Sequence, residues 1–300
     1  MNLQRFVPAA IALMIGGAFS GQAAIRMAAP FGEHMVLQQG VPIPVWGDGC
    51  PGGDSVTVAF AGQTVRARSD WQGRWKVVLA PVKAGGPYQM LVNVGSGSGP
   101  YVPSSAANER GGVELNDVLV GEVWFVAGTS SALLGTNEET APWIRMFKPS
   151  PPTGRGQWIL SKPAALVGRP AAAFYFGQEL RNQLKTPVGL IDVSSTGGPA
   201  DTWSGMIAPL APYAMRGAVW LEGDSRQQSG DALETMLRDW RQAWGQGDFP
   251  LLYAPSFGQT NAPLQSTNTA TVITADLNPN DQPELARRLA MKARALAYGE

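Results

Sequence analysis

The hydrophobic period of this chain changes once, near Val113, and that change limits the fold more than any other feature. Before it, apolar and polar residues alternate. In 54–70, Val56, Val58 and Phe60 face one way and Ser55, Thr57 and Ala59 the other. Ala61-Gly62-Gln63 then turns the chain back through Val65. Segments 41–49, 73–82 and 86–94 read as further strands. Period-two alternation, with a turn about every ten residues, predicts an antiparallel β-sandwich over 24–112. A Gly/Ser/Pro-rich stretch, 95–112, closes it as a linker or an exposed loop. The 36 glycines and 24 prolines of the 300 residues agree with so many turns.

After Val113, apolar strands alternate with amphipathic helices. Strand 118–127 is followed by an irregular stretch to about 168. Helix 171–185 carries Ala173, Phe176, Gly177, Leu180 and Leu184 at helical spacing. Strands 188–194 and 217–223 come next. Helix 230–244 aligns Leu233, Met236, Leu237, Trp240 and Trp244 and stops at Gly245, which places both tryptophans in the core. Strands 250–256 and 271–276 precede a last helix, which opens at Pro283 with Glu284 in its first turn and ends at Gly299. This βα alternation predicts a parallel sheet with helices on both faces. Sites in such sheets lie at the carboxyl ends of the strands. Four loops lie there: 128–131, 194–203, 221–228 and 275–283. In the second, Gly197 and Gly198 permit close backbone approach and can offer an N–H to an oxyanion.

Composition narrows the chemistry. Charged residues make up 15% and the net charge is zero, which argues against a nucleic-acid partner. One cysteine and one histidine exclude an internal disulfide and a Cys/His metal site, and neither a metal nor an organic cofactor is expected. Arg5, the apolar stretch from Phe6 to Phe19, and Gly21 and Ala23 before a cleavage point read as a signal peptide over 1–23. The mature protein is then expected to be secreted or periplasmic, with no stable membrane insertion. An uncleaved N-terminal anchor is the alternative.

Several segments, in order, carry a family resemblance. They include "FGEHMVLQQGVPIPVWG" (31–47), "AGQTVRARSDWQGRWKVVLAPVKAGGPY" (61–88), "NDVLVGEVWFVAG" (116–128), "PVGLI" (187–191), "MIAPLAPYAMRGAVW" (206–220), "WRQAWGQGDFP" (240–250) and "RRLAMKARALAYG" (287–299). Through them the chain resembles the sialate O-acetylesterase family, carbohydrate esterases of SGNH-hydrolase type. The resemblance implies a flavodoxin-like α/β/α three-layer domain over 113–300, preceded by the sandwich. It also implies hydrolysis of O-acetyl esters on sialic acids or related sugars, with Ser130 as nucleophile. The resemblance also implies that sequence is missing between Gln265 and Thr271, and the family's usual C-terminal β extension is not matched within these 300 residues.

The catalytic positions are where the chain departs from the family. Its Gly-Gln-Ser-Asn-Met reads Gly128-Thr129-Ser130-Ser131-Ala132 here. Its Gly-Glu-Ser-Asn, whose asparagine resembles an oxyanion donor, reads Gly223-Asp224-Ser225-Arg226. Gly197 and Gly198 are kept, followed by Asp201 and by Trp203, a candidate ligand-facing ring. Asp-Ile-His-Pro reads Asn280-Asp281-Gln282-Pro283, so glutamine stands at the histidine's position. Glutamine cannot accept a proton near neutral pH. Loss of such a base costs up to about a million-fold in turnover, about 8 kcal/mol of barrier. Asp281 and Asp224 are the substitute bases the loops offer. His34, in the β part, is expected to be structural. Two readings stay open: an impaired esterase, or an inactive relative that binds acetylated glycans or acts as an interaction scaffold.

Overall fold

The structure, a computed structural model, describes residues 25–95, 112–129, 132–194, 206–222, 230–258 and 264–300. The first half folds as its alternation dictates. β1 (Arg26–Met27), β3 (Ile43–Asp48) and β6 (Trp75–Leu79) form a three-stranded antiparallel sheet, with Trp75, Val77 and Leu79 buried and Lys76 and Val78 outward. β4 (Ser55–Phe60) pairs antiparallel with β5 (Gln63–Arg68) and with β7 (Gly85–Gly95), and buries Val56, Val58 and Phe60.

The connection to the second half is a single long strand. β8 (Val113–Gly128) runs for 16 residues. Its first part pairs with β7 and with β2 (Val36–Gln38). Its last part lies between β11 (Val188–Asp192) and β12 (Gly217–Leu221), parallel to both. Beyond them β9 (Ala141–Ser150), β13 (Leu251–Ala254) and β14 (Thr269–Thr271) continue the parallel ladder, and β10 (Arg155–Ser161) adds an antiparallel edge. Among the described residues this is one eleven-stranded sheet. The order through the parallel region is β10-β9-β11-β8-β12-β13-β14.

A parallel strand covered on both sides has no polar face, which explains the unbroken apolar run from Val123 to Ala127. Val123, Phe125 and Ala127 pack into a core shared with Trp240 and Trp244, while Trp124 and Val126 pack into another with Phe176, Leu180, Leu285 and Leu289. The helices supply those partners. Short α1 (Pro163–Leu166) precedes α2 (Ala171–Leu184), whose buried stripe includes Ala173, Phe176, Gly177 and Leu180. α3 (Gly230–Trp244) buries Leu233, Met236, Leu237, Trp240 and Trp244, as its period requires. α4 (Gln282–Ala293) starts one residue before the expected Pro283 and continues as a π-turn through Arg294–Tyr298 to Gly299.

The structure corrects the reading at three points. The stretch expected to be irregular to about 168 contains the β9–β10 hairpin. Its pattern hid it, because β9 lies between β10 and β11 and buries four consecutive residues, Ile144 to Phe147. β8 starts five residues before the expected 118, at Val113. The last strand is only Thr269–Thr271, not 271–276.

One buried charge ties the ends of the chain together. Glu122, on β8, accepts from Arg216 Nε at 2.8 Å, Tyr298 Oη at 2.9 Å, Gln39 Nε2 at 2.6 Å and Gln38 Nε2 at 3.2 Å. A fully buried carboxylate persists only with such compensation. Burial, reinforced by Glu122, pushes the Tyr298 phenol up.

Candidate active site

The carboxyl ends of the parallel strands meet along one edge, and the exit of β8 is tightly fixed there. Gly128 has φ +91°, and a Cβ on it would stand 1.9 Å from the Leu221 carbonyl oxygen of β12, so only glycine fits. Thr129 N–H then donates to that same oxygen at 2.8 Å. Ser130 follows Thr129 directly in sequence. It lies outside the described residues, as do Ser131, Gly197, Gly198, Asp201, Trp203, Asp224 and Arg226.

The described part of this edge is polar and buried. β11 ends in Asp192, which has no solvent exposure. Its Oδ1 accepts from the Ser194 N–H at 3.0 Å and from the Ser194 hydroxyl, and its Oδ2 accepts from Lys148 Nζ at 3.2 Å. β12 runs into Glu222, whose Oε2 accepts from the Tyr253 hydroxyl of β13. Beyond β13, Thr274 Oγ1 donates to the Ser256 carbonyl at 3.2 Å. Five polar side chains, Asp192, Ser194, Glu222, Ser256 and Thr274, are thus buried at the edge where the topology predicts a site. Sequence reasoning passed over Asp192 and Glu222. The available signal was an acid ending each apolar strand, in "VGLID" and "GAVWLE".

Asp281 and Gln282 are described, and both serve the turn that opens α4. Asp281 Oδ2 accepts from Asn278 N at 2.9 Å and from Asn278 Nδ2 at 2.5 Å. Gln282 is 4% exposed, and its Nε2 donates to the Pro279 carbonyl at 2.7 Å. Arg288 closes the same segment from the helix side, bonding Asp276 at 2.6 Å and Glu284 at 2.8 Å. The Arg288 bond to Asp276, and the bonds of Arg287 and then Arg288 to Glu284, hold both of these carboxyls down at about 2.

His34 is engaged elsewhere. Its Nδ1 lies 2.7 Å from Asp117 Oδ2, and its carbonyl accepts from Arg145 Nη1 at 3.2 Å. It has φ +65° and sits just before β2, a structural place as expected. Burial alone would raise the Asp117 carboxyl, but hydrogen bonds from Arg145 and His34 outweigh it and hold the group below its usual range. Among the described residues, no group of three or more His, Cys, Asp or Glu side chains is placed to hold a metal ion.

Comparison with known proteins gives consistent relatives. Human sialate O-acetylesterase is 25% identical over 389 aligned residues, covering 92% of this chain and 71% of that protein. The mouse sialate O-acetylesterase is 23% identical, covering 97% of this chain and 77% of its own. Among solved structures, a carbohydrate acetylesterase from Xanthomonas citri superposes with a TM-score of 0.75 at 23% identity, covering 92% of this chain and 76% of that one. No family model matches the chain.

Proposed function

We propose that this chain, which belongs with the sialate O-acetylesterase family, is an exported esterase-like protein of O-acetylated sugars with impaired turnover. Sialic acids or related sugars are the proposed substrates. The division into a signal peptide (1–23), a β-sandwich (24–112) and a flavodoxin-like SGNH domain (113–300) is part of this proposal. So is a secreted or periplasmic location. No helix among the described residues is long and apolar enough to cross a membrane.

The observation that supports the reading is the exit of β8. An obligatory glycine in the left-handed region, pinned against β12, ends the central strand two residues before the family's serine position. In the proposed reaction Ser130 Oγ adds to the acetyl carbonyl. The C–O bond to the sugar breaks, the proton lost by Ser130 goes to the departing sugar oxygen, and water then splits the acetyl-serine into acetic acid and the restored serine hydroxyl. The proposed roles are oxyanion binding for the Gly198 N–H and ester binding for Gly197, Trp203, Asp224 and Arg226. Among the described residues, the family's histidine position offers no ready proton acceptor, which leaves Asp224 as the proposed substitute base. Gln282 cannot serve, and Asp281 commits an oxygen to its own turn.

Gln282 also favours the second reading, of an inactive glycan-binding relative, since its amide is buried and bonded as a structural residue. Hydrolysis of an aryl acetate by wild type and by Ser130→Ala separates the two. The proposal expects a slow, Ser130-dependent rate above buffer. Equal rates at background, with retention on an acetylated-glycan array, would establish the binder.

A further inference from the structure

Asp192 does more than end a strand. The four residues before it, Val188, Gly189, Leu190 and Ile191, are buried in the parallel ladder, and a charged group there carries a desolvation penalty of several kcal/mol. An asparagine or serine could close a strand without that cost. The carboxylate instead grips two partners. Phe147 of β9 faces Ile191 of β11, so Lys148 arrives opposite Asp192 and bonds Oδ2 at 3.2 Å. Oδ1 takes both the amide and the hydroxyl of Ser194. Val193 N–H is meanwhile held by the Val126 carbonyl of β8 at 2.9 Å. The chain is therefore fixed from β9, from β8 and from within itself as far as Ser194. Segment 195–205, with the Gly197-Gly198 pair, begins one residue later.

We infer that Asp192, charge-balanced by Lys148 and bonded to Ser194, is a positioning residue that fixes the departure of the ester-holding loop from the sheet. This rests on the esterase reading above only for the loop's role. The brace itself stands on described contacts. An oxyanion donor displaced by about 1 Å loses about a hundredfold in rate while binding is little changed. Asp192→Asn keeps an acceptor for Ser194 but turns an amide group toward the lysine. Lys148→Met leaves the carboxylate buried without its cation.

Two measurements test the inference: aryl-acetate kinetics, and amide hydrogen exchange resolved to short peptides. Asp192→Asn is expected to lower kcat about 10- to 100-fold with KM within about threefold. It is also expected to speed exchange at 193–194 while 189–191 stay protected. Lys148→Met should reproduce the exchange change. Ser194→Thr should retain the wild-type values, and Ser194→Ala should lose them. Wild-type kcat in Asp192→Asn, or unchanged exchange at 193–194, overturns the inference and leaves the esterase reading standing. Faster exchange spread evenly over β11 also overturns it, since that marks general destabilisation. If wild type shows no Ser130-dependent hydrolysis, the esterase reading fails. Exchange then decides the brace alone: local loosening upholds it and no change sinks it.

Discussion

Gln282 shows what one residue can decide and how far sequence alone can locate it. Its side chain already donates to the Pro279 carbonyl, and a donor bond of that kind is what fixes the tautomer of an imidazole. Gln282→His should therefore raise aryl-acetate turnover at least about a hundredfold, a typical general-base effect, and only while Ser130 is present. No gain in the single variant, with its melting temperature kept, would mean that α4 starts in the wrong place for a base. Asp117 makes the opposite case, a residue whose role only the fold reveals. Its depressed carboxyl contributes stability above the unfolded value of about 3.9, and that contribution is lost as pH falls through the lower folded value. Asp117→Asn leaves the buried Arg145 without its anion and should cost about 2 kcal/mol at pH 7, discounted from a fully buried pair because Asp117 is one-third exposed. Urea titrations at pH 7 and pH 3 check both magnitude and sign, since the gap between variant and wild type must shrink at the lower pH. Gln282 was legible because a motif surrounds it. The pairs His34–Asp117 and Lys148–Asp192 were not, because each joins residues far apart in sequence through strand register.

Among the elements, β8 carries the most consequence. Its apolar run was plain in the sequence, and so were α2 and α3 from their stripes. Its first five residues were not, because they pair with β7 and their burial is mixed. The β9–β10 hairpin escaped for a related reason. Proline and basic residues interrupt it, and its buried block is continuous where alternation is the usual sign of a strand. The end of β8 yields a sharp test. Gly128→Ala would force a side chain into the left-handed region and against the Leu221 carbonyl. Left-handed strain of about 1–2 kcal/mol adds to a backbone clash that β12 must move to relieve, so a loss of about 3 kcal/mol is expected. Chemical denaturation measures it. A loss below about 1 kcal/mol would show that the exit of β8 is not held as tightly as its hydrogen bond to Thr129 implies.

At the scale of the whole molecule, the change of period near Val113 suggests two units, yet the sheet does not stop there. β8 pairs with β7 and β2 on one side of Gly121 and with β11 and β12 on the other, and Glu122 at the junction binds side chains from 38 to 298. A single core cluster extends from Val56, Val58 and Phe60 through Val118 and Phe125 to Trp240 and Trp244. A half that unfolded alone would strand half of β8 and expose this shared surface, so independent unfolding is strongly disfavoured. Peptide-resolved hydrogen exchange across a urea series should therefore show β4–β7 and α2–α4 losing protection at one common midpoint. Glu122→Gln removes the charge that Arg216 needs at the junction. It should lower that midpoint by about 3 kcal/mol equivalent, typical for one broken partner of a buried pair, and shift both halves together. Two midpoints in wild type would mean that the continuous strand is a tether between separately stable units. A shift confined to one half in Glu122→Gln would mean that the junction network belongs to that half alone.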